Sequence, residues 1–352
     1  MKLKALVLTV AVLAVLSAVA FWANRAQSPA AADPRIGEPL GDPTAIEKAA
    51  IVRLSDQGRT IVLTRAPDGS WLDTSYFGLP ADFSKLAGFA GDLVTARIQR
   101  LVTVNPDRMA RLEFKDTRIE FLDAAGRALW SATLGRSADS GGRFIRFDGE
   151  DRAYLANLNA SLDTEPRDWA SAQLLDLKSD DVASVEVGFD QGAPVTVMRT
   201  AKDGPWTAAP ASAGHKVSAD TVSSLLASLG ALRFSDTSDL ADPQVAAAKR
   251  HLRTVRITSF QGRTTVISMG RKPEEKMLKS GSRKAESGNA RPDTMAAPEY
   301  ETIPAGPVYV FITSSDKGAP INGLMQKRAF QVDEYTFTSL PQKPADLFEP
   351  AK

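Results

Sequence analysis

The feature that most constrains the fold of this chain is a stretch that occurs twice. Residues 119–136 read IEFLDAAGRALWSATLGR, and residues 255–271 read VRITSFQGRTTVISMGR. The Gly-Arg pairs that the two stretches share are separated by 135 or 136 residues. A second pattern, Asp-Gly-x-Trp, recurs at the same spacing, at residues 68–71 and 203–206. Two independent patterns at one spacing predict two copies of one structural unit.

Each copy is expected to combine antiparallel strands with one amphipathic helix. Short β-rich runs around turn residues, first at residues 51–54 and 60–64, predict a meander and hairpins. Apolar residues then follow the i, i+3, i+7, i+10 spacing of a helix in both copies: Phe83, Leu86, Ala90 and Leu93, and later Val222, Leu225, Leu229 and Leu232. A short closing helix is expected at residues 166–177 and again at 325–332. The predicted fold class is therefore α+β, with tandem duplicated units that follow an N-terminal transmembrane helix.

These patterns divide the chain into four segments. Residues 1–23 are the predicted membrane segment, and residues 24–45 are a proline-rich linker. The first repeat covers residues 46–179, and the second covers 180–352. Within the second repeat, residues 271–299 mix basic and acidic side chains without an apolar period, which predicts a flexible surface loop.

An apolar stretch near the start of the chain predicts a membrane anchor. Lys2 and Lys4 precede residues 5–23, in which Thr9 and Ser17 are the only polar side chains. A helix of that length covers about 28 Å, close to the hydrocarbon thickness of a bilayer. Because lysines favour the cytoplasmic side, the bulk of the chain is expected on the other side. The residues that define the predicted anchor are Ala5, Leu6, Val7, Leu8, Val12, Leu13, Val15, Leu16, Phe21 and Trp22.

Two alternatives stay open at this end of the chain. The small-residue pattern at residues 18–20 is also typical of a signal peptide that is cleaved. Residues 24–44 contain four prolines, which interrupt helices and sheets and predict a semi-extended linker of at most roughly 65 Å. The alternative for this segment is that it packs on the first unit.

Composition and motifs argue against several kinds of chemistry. The chain has no cysteine, which excludes disulfides, thiolate nucleophiles and thiolate metal sites. Its formal net charge of +1 gives no reason to expect a nucleic-acid partner. His215 and His251 lack partners at metal-ligand spacing. The sequence also lacks phosphate-loop, dinucleotide-binding and serine-elbow motifs, so we expect neither a cofactor nor a catalytic centre.

Three arginines are candidates for contact with a ligand or partner. Arg136 and Arg271 follow the second hairpin strand of each copy, and Arg146 lies in the next hairpin of the first copy. A guanidinium at such a place binds an anionic group, or simply pairs with a carboxylate at the strand end. Trp71 and Trp206 recur at strand starts, which favours core packing over a role in sugar binding.

A resemblance to a known family rests on several short motifs. They are Val-Arg-Leu at 52–54, Gly-Arg-Thr-Ile-Val-Leu-Thr-Arg at 58–65, Asp-Gly-Ser-Trp at 68–71, Phe-Ile-Arg at 144–146, Ala-Tyr-Leu at 153–155 and Arg-Asp-Trp at 167–169. Together with the predicted anchor, they make the chain resemble the bacterial family of unknown function DUF4340, most strongly over residues 46–177. Members of that family often have Tyr-Val-Arg where this chain has Phe-Ile-Arg. They are typically membrane-anchored and often encoded beside ABC-type transporters that resemble the gliding-motility export system.

The resemblance implies an accessory component of the cell envelope, with no catalytic residues to transfer. We expect a single-pass protein of the bacterial inner membrane, with a cytoplasmic N-terminus and a periplasmic bulk. Its expected partner is a transporter or another envelope complex. One alternative is a periplasmic module that binds polysaccharide or another ligand in a cleft between the two units. A second is a hydrolase whose site combines Asp and Glu residues that are distant in sequence. The neighbouring carboxylates Asp180 and Asp181, and Glu165 and Asp168, favour capping or surface roles over acid–base catalysis.

Overall fold

The computed structural model describes residues 33–159, 162–189, 192–209, 216–278 and 300–349. These residues form an α+β protein of antiparallel sheets with few helices, as the sequence predicts. The chain divides into two units between Ser171 and Ala172, whereas the sequence placed the boundary between residues 179 and 180. The predicted anchor residues, Ala5 to Trp22, lie outside the described part of the chain. None of the described helices is long and apolar enough to cross a membrane.

The first unit is built on one antiparallel sheet. Its described strands are β1 (Ile51–Asp56), β2 (Arg59–Arg65), β3 (Trp71–Asp73), β4 (Leu79–Pro80), β5 (Ile98–Thr103), β6 (Arg118–Leu122), β7 (Ala128–Ser137), β8 (Arg143–Phe147) and β9 (Ala153–Ala156). Their order is β4-β3-β2-β1-β6-β7-β8-β9-β5, and every neighbouring pair is antiparallel. Most neighbours are joined by hairpins, but β1 pairs with β6 and β5 with β9 across long stretches of chain.

An amphipathic helix covers one face of this sheet. The described helices of the unit are α1 (Pro43–Lys48), α2 (Phe83–Thr95) and α3 (Pro106–Ala110). Asp82 caps α2, because its side chain accepts a hydrogen bond from the backbone N–H of Lys85 at 3.0 Å. Leu86 and Leu93 are buried as predicted, but Phe83 is 64% exposed. The buried stripe instead turns towards Phe89, whose ring meets the buried Trp169 edge-on at 5.8 Å.

The second unit has a sheet of its own and a separate hairpin. Its described strands are β10 (Val182–Val187), β11 (Val195–Met198), β12 (Thr207–Ala209), β13 (Asp236–Ser238), β14 (Leu252–Ser259), β15 (Thr264–Gly270), β16 (Glu275–Leu278), β17 (Tyr300–Ile303), β18 (Val308–Ser314) and β19 (Ala329–Val332). The sheet has the order β12-β11-β10-β14-β15-β18-β19-β13, while β16 and β17 pair only with each other. Residues 275–278 are therefore strand, contrary to the prediction of a flexible loop over 271–299, because they pair with residues 300–303. Residues 279–299 lie outside the described part of the chain.

The helices of the second unit confirm one prediction and correct another. They are α4 (Ala219–Gly230), α5 (Pro243–Ala248), α6 (Pro320–Lys327) and α7 (Glu334–Thr338). The predicted apolar face of α4 is buried throughout, and Ser218 caps the helix by accepting from the backbone N–H of Thr221 at 3.3 Å. Residues 325–332 do not form the predicted closing helix. Arg328 is extended and ends α6, and Ala329–Val332 then pairs with β18 and buries Phe330.

The predicted closing helix of the first unit is also much shorter than expected. Only Pro166–Trp169 is helical, as a single 3-10 turn. It ends at Ala170, whose backbone is extended and forms an isolated bridge with Ala81. The turn is retained because the Trp169 ring is 1% exposed and its indole N–H donates to the backbone oxygen of Asp163 at 2.9 Å. Burial of one large side chain, rather than helix propensity, therefore positions this segment.

The described part of the predicted linker packs on the first unit. The backbone N–H of Gly37 donates to the oxygen of Ile98 at 2.7 Å, and that of Leu40 donates to the oxygen of Ala96 at 2.9 Å. Leu40 is 1% exposed and belongs to the main core of the unit. Residues 33–45 are therefore part of the folded unit, which is the alternative to a free linker. Prolines at 39 and 43 are compatible with this, since Pro39 forms an isolated bridge and Pro43 begins α1.

Candidate functional site

The repeated glycine before Arg136 and Arg271 has a steric explanation. A Cβ atom on Gly270 would lie 2.5 Å from the backbone oxygen of Ala248, and one on Gly135 would lie 2.4 Å from that of Leu112. In each unit, the turn after a short helix therefore runs directly against the sheet. The conserved spacing of these glycines within the chain reflects close backbone packing. This steric limit does not extend to the side chains of Arg136 and Arg271, which have different contacts in the two units.

Arg271 lies in a cavity of about 1000 Å³ in the second unit. One end of the sheet forms its wall, where β14 begins, β15 ends, β18 begins and β19 ends. Helix α7 and the base of the β16–β17 hairpin complete the lining. We call this space the Arg271 cavity. The side chains that define its chemistry are Phe189, His251, Arg253, Arg271, Glu334 and Phe337.

Two arginines of the Arg271 cavity pack against one phenylalanine. The guanidinium of Arg253 lies 4.7 Å from the centre of the Phe337 ring, and that of Arg271 lies 5.6 Å from it. Phe337, the buried residue of α7, is only 7% exposed. Such cation–π contacts restrict the orientation of a long, otherwise mobile side chain. The two guanidinium groups are therefore held at the cavity wall by the same ring.

Arg271 also forms an ion pair with Glu334. Its Nη1 atom lies 2.5 Å from Oε1 of Glu334. The side chain of Arg271 is 27% exposed, whereas that of Glu334 is 66% exposed. The arginine thus belongs to the cavity wall, and the carboxylate approaches it from the solvent side. Because the pair is open to water, it contributes little to stability and its carboxylate is readily exchanged.

The formal charges around the cavity balance. Arg250 joins Arg253 and Arg271 on the positive side, and the negative side consists of Glu274, Asp333 and Glu334. In the part of the chain that the structure describes, neither Arg250, Glu274 nor Asp333 has a side-chain hydrogen bond or ion pair. The cavity is thus polar and mixed in charge, with no strong field of one sign.

Arg136 and Arg146 lie in the first unit, where they cover a small apolar cluster. The cluster consists of Leu112, Phe144, Ala153 and Leu155, with Phe114 and Met109 packed against it. The guanidinium of Arg136 lies 5.3 Å from the ring of Phe144, and that of Arg146 lies 5.4 Å from the ring of Phe114. Arg136 also approaches Asp139 at 3.6 Å, a side chain that is 98% exposed. These two arginines therefore shield apolar surface with their aliphatic stems and guanidinium groups.

The start of the described chain is held by a polar cluster that the sequence did not predict. Oδ2 of Asp33 pairs with Nη1 of Arg152 at 2.8 Å and lies 3.3 Å from the hydroxyl of Tyr154. Arg35 pairs with Glu150, and its guanidinium lies 4.2 Å from the centre of the Phe147 ring. We call these contacts the N-terminal latch. They join residues more than a hundred positions apart, which is why no local pattern indicated them.

The latch perturbs the acidity of its members. Burial alone would raise the pKa of Asp33, but hydrogen bonds from the backbone of Arg35 and from the side chains of Arg152 and Tyr154 outweigh it and lower that pKa. Burial and the negative charge of Glu150 raise the pKa of Tyr154. Asp33 is therefore ionised in the folded protein and Tyr154 is neutral, which are the states that the hydrogen bonds require.

Three of the four candidate carboxylates pair with separate basic residues. Asp180 lies 2.6 Å from Lys202, whose hydrogen bond lowers the pKa of the carboxyl. Glu165 pairs with Arg59 at 3.2 Å, and Asp168 lies 3.7 Å from Arg167. Within the described ranges, no three His, Cys, Asp or Glu side chains are grouped in a way that would hold a metal ion.

The two histidines and the two repeated tryptophans have different surroundings. His251 lines the Arg271 cavity, and His215 lies outside the described residues. Trp71 packs partly buried against the core of the first unit. Trp206 is also partly exposed, and its ring is covered by the guanidinium of Arg199 at 4.7 Å.

One buried carboxylate, Asp73, has a role that the sequence did not predict. Asp73, at the end of β3, is 0% exposed. Its Oδ1 atom accepts hydrogen bonds from the backbone N–H groups of Ser75 and Tyr76, both at 3.0 Å, and also from the Ser75 hydroxyl. Its Oδ2 atom has no hydrogen-bond partner, and burial raises the pKa of this carboxyl. The Asp-x-Ser sequence signals the turn, but only the packing of the sheet decides that the turn is buried.

Together these features define an α+β protein with one large antiparallel sheet in each unit, a separate two-stranded hairpin, and a polar cavity at the end of the second large sheet. The family model described as a domain of unknown function (DUF4340) matches residues 71–253, which is more than half of the chain. The chain belongs to this family. The match runs from β3 of the first unit to β14 of the second, so it begins after the motifs at residues 52–54 and 58–65 and continues beyond residue 177. No curated protein and no solved structure matches the chain significantly.

Proposed function

We propose that this protein is a non-catalytic, single-pass protein of the bacterial inner membrane whose bulk lies in the periplasm and contacts a partner complex. An ABC-type transporter or another envelope complex is the expected partner. The apolar stretch at residues 5–23, the flanking lysines and the membership in DUF4340 support this proposal.

The observation that carries the proposal is the docking of the N-terminal segment. Since residues 33–45 pack on the first unit, only residues 24–32 connect the apolar stretch to the folded body. Nine residues span at most about 30 Å when fully extended, which is half the reach of the whole proline-rich segment. A body held this close to the membrane surface is placed to contact the periplasmic parts of a membrane complex.

We also propose that the two units arose by duplication of one ancestral unit. The order β3-β2-β1-β6-β7-β8-β9-β5 in the first sheet has the same connectivity as β12-β11-β10-β14-β15-β18-β19-β13 in the second. A capped amphipathic helix precedes the edge strand in both, as α2 precedes β5 and α4 precedes β13. The paired glycines Gly135 and Gly270 meet a backbone oxygen in the same way. Duplication accounts for all three similarities at once.

Crosslinking in intact cells tests the proposed function. The tagged full-length protein is purified from membranes after crosslinking, and the proteins recovered with it are identified. We expect membrane subunits of a transporter or other envelope complex. Recovery of the protein alone, with a control crosslink formed normally in the same cells, would contradict the proposal.

A tether variant sharpens this experiment. Insertion of about 40 Gly and Ser residues between Gln27 and Ser28 extends the reach of the connection without changing the folded units. The yield of the crosslinked partner is expected to fall, because the body is no longer confined near the membrane. An unchanged yield would show that the short connection has no role in partner contact.

A further inference from the structure

The size and position of the Arg271 cavity suit a ligand larger than an ion. Its volume of about 1000 Å³ lies at the upper end of the range for small-molecule sites. It opens at the end of a sheet, where backbone segments from several strands converge with α7 and the base of the β16–β17 hairpin. Such a space accommodates several residues of an extended chain.

The charges of the cavity argue against a free inorganic anion, and the ring of Phe337 is not open to a sugar. Phe337 is 7% exposed and its ring is flanked by Arg253 and Arg271, so it offers no open face on which a sugar ring could stack. The three arginines of the lining are balanced by three carboxylates, so the cavity has no net field to concentrate a simple anion. A ligand that carries charges of both signs fits this lining better.

Glu334 marks the place that a ligand carboxylate would take. Its carboxylate pairs with Arg271 from the solvent side, on a helix of five residues with no side-chain cap. Arg271 itself is held by the ring of Phe337. A carboxylate from a ligand would replace Glu334 on the same guanidinium, so one charged hydrogen bond is exchanged for another. The uncommitted Glu274 and Asp333 would meet basic or N–H groups of the same ligand.

From this geometry we propose that the Arg271 cavity binds a peptide segment of a partner protein, with an acidic side chain of that segment placed on Arg271. Extended peptide backbone supplies the N–H groups, apolar side chains and acidic groups that the lining can receive. The inference rests on the proposed function, because it describes part of the partner that the protein would contact.

Selection from a displayed peptide library tests this inference. The full-length protein in detergent is immobilised and exposed to phage that display random heptapeptides, and peptides that also bind the Arg271→Ala variant are removed. Enriched sequences are synthesised with a fluorophore, and their affinity is measured by anisotropy. The variants compared are Arg271→Ala, Glu334→Gln and Arg136→Ala. Arg136 is a matched control, because it too stacks on a phenylalanine and pairs with an exposed aspartate.

We expect enriched peptides to contain an acidic residue. Their affinity should fall about tenfold in Arg271→Ala, stay unchanged in Arg136→Ala, and rise roughly fivefold in Glu334→Gln, because the competing carboxylate is gone. The gain in Glu334→Gln is decisive, since a misfolded variant does not gain affinity.

Three results would overturn the inference. They are a selection without enrichment over Arg271→Ala, enriched peptides that lack acidic residues, and displacement of a bound peptide by inorganic phosphate or an oligosaccharide at equal concentration. The proposed function would survive any of them, because it is tested by partner recovery from crosslinked cells.

Discussion

Asp33 and Arg152 form an ion pair at 2.8 Å although they are separated by 119 positions in the chain. The pair fixes the first described residues to the turn between β8 and β9, together with Tyr154 and with the Arg35–Glu150 pair. Since the side chain of Asp33 is 5% exposed, the pair is shielded on the carboxylate side. This contact converts part of a proline-rich segment into a component of the folded unit.

Replacement of Asp33 by Asn is expected to loosen the N-terminal segment. The neutral amide loses the charged hydrogen bonds from Arg152 and from the backbone of Arg35. Hydrogen exchange at residues 36–41 should accelerate roughly fivefold, while the rest of the unit keeps its protection. Exchange measured by mass spectrometry checks this. Asp123→Asn is the matched control, because Asp123 also has a lowered pKa but pairs only with the nearby Arg127. Equal protection in Asp33→Asn and wild type would contradict the prediction.

The buried Asp73 is expected to contribute more to stability as the pH falls through the raised pKa of this carboxyl towards its usual value of 3.8. Burial raises that pKa above its usual 3.8 in the folded state, so the folded protein binds a proton more readily than the unfolded chain. Stability therefore decreases with rising pH through this window. Urea unfolding of wild type and Asp73→Asn at several pH values isolates this contribution, because the variant has no group to titrate there. If the unfolding free energy of wild type relative to Asp73→Asn instead decreased as the pH is lowered, the N–H bonds to Oδ1 would outweigh burial.

The repeated glycines are expected to be intolerant of a side chain. In Gly135→Ala and Gly270→Ala the new Cβ would meet a backbone oxygen at 2.4 or 2.5 Å, and backbone cannot move away as a flexible side chain does. Each variant should lose about 1–3 kcal/mol of unfolding free energy. Gly88→Ala is a control of opposite sign, since Gly88 lies in α2 with open space around it and alanine favours a helix by about 1 kcal/mol. Thermal and urea unfolding measure all three, and comparable stability of Gly135→Ala and Gly88→Ala would refute the steric argument.

Leu40 is expected to behave as a core residue in spite of its place in a proline-rich segment. Leu40→Ala removes a side chain that is 1% exposed and packed in the main cluster of the first unit. Loss of about 2–5 kcal/mol is expected from the lost burial and the cavity that remains. Ile36→Ala is the control, because Ile36 is 41% exposed in the same segment. Urea unfolding measures the stability of both variants. A large loss in Leu40→Ala alone indicates a docked segment, whereas in a free linker both changes would be nearly neutral.

Features that depend on neighbouring residues followed from the sequence. The hairpins around Gly126 and Gly262 form where turn residues interrupt β-rich runs, and both glycines adopt the positive φ that such turns require. Asp82 and Ser218 cap the two amphipathic helices that the apolar spacing predicted. These features are determined by contacts within a few residues, and at these positions the tertiary fold requires the same local structure.

Features that depend on distant contacts did not follow. Residues 166–177 were predicted to be helical, but the burial of Trp169 holds only one turn of helix there. Residues 325–332 were assigned to one helix, although Ala329–Val332 gains more by pairing with β18. The edge strands β5 and β13 were not predicted, because β13 has no apolar residue and the apolar residues of β5 do not alternate along the strand.

The candidate arginines show the same division. The sequence by itself determined that Arg136 and Arg271 follow repeated glycines, and that the chain is an α+β protein of antiparallel strands. Only the tertiary structure decided that Arg271 lines a cavity with Arg253, Phe337 and Glu334, while Arg136 covers an apolar cluster. Local patterns are set by backbone geometry over a few residues, whereas a cavity forms where segments far apart in the chain end at the same edge of a sheet.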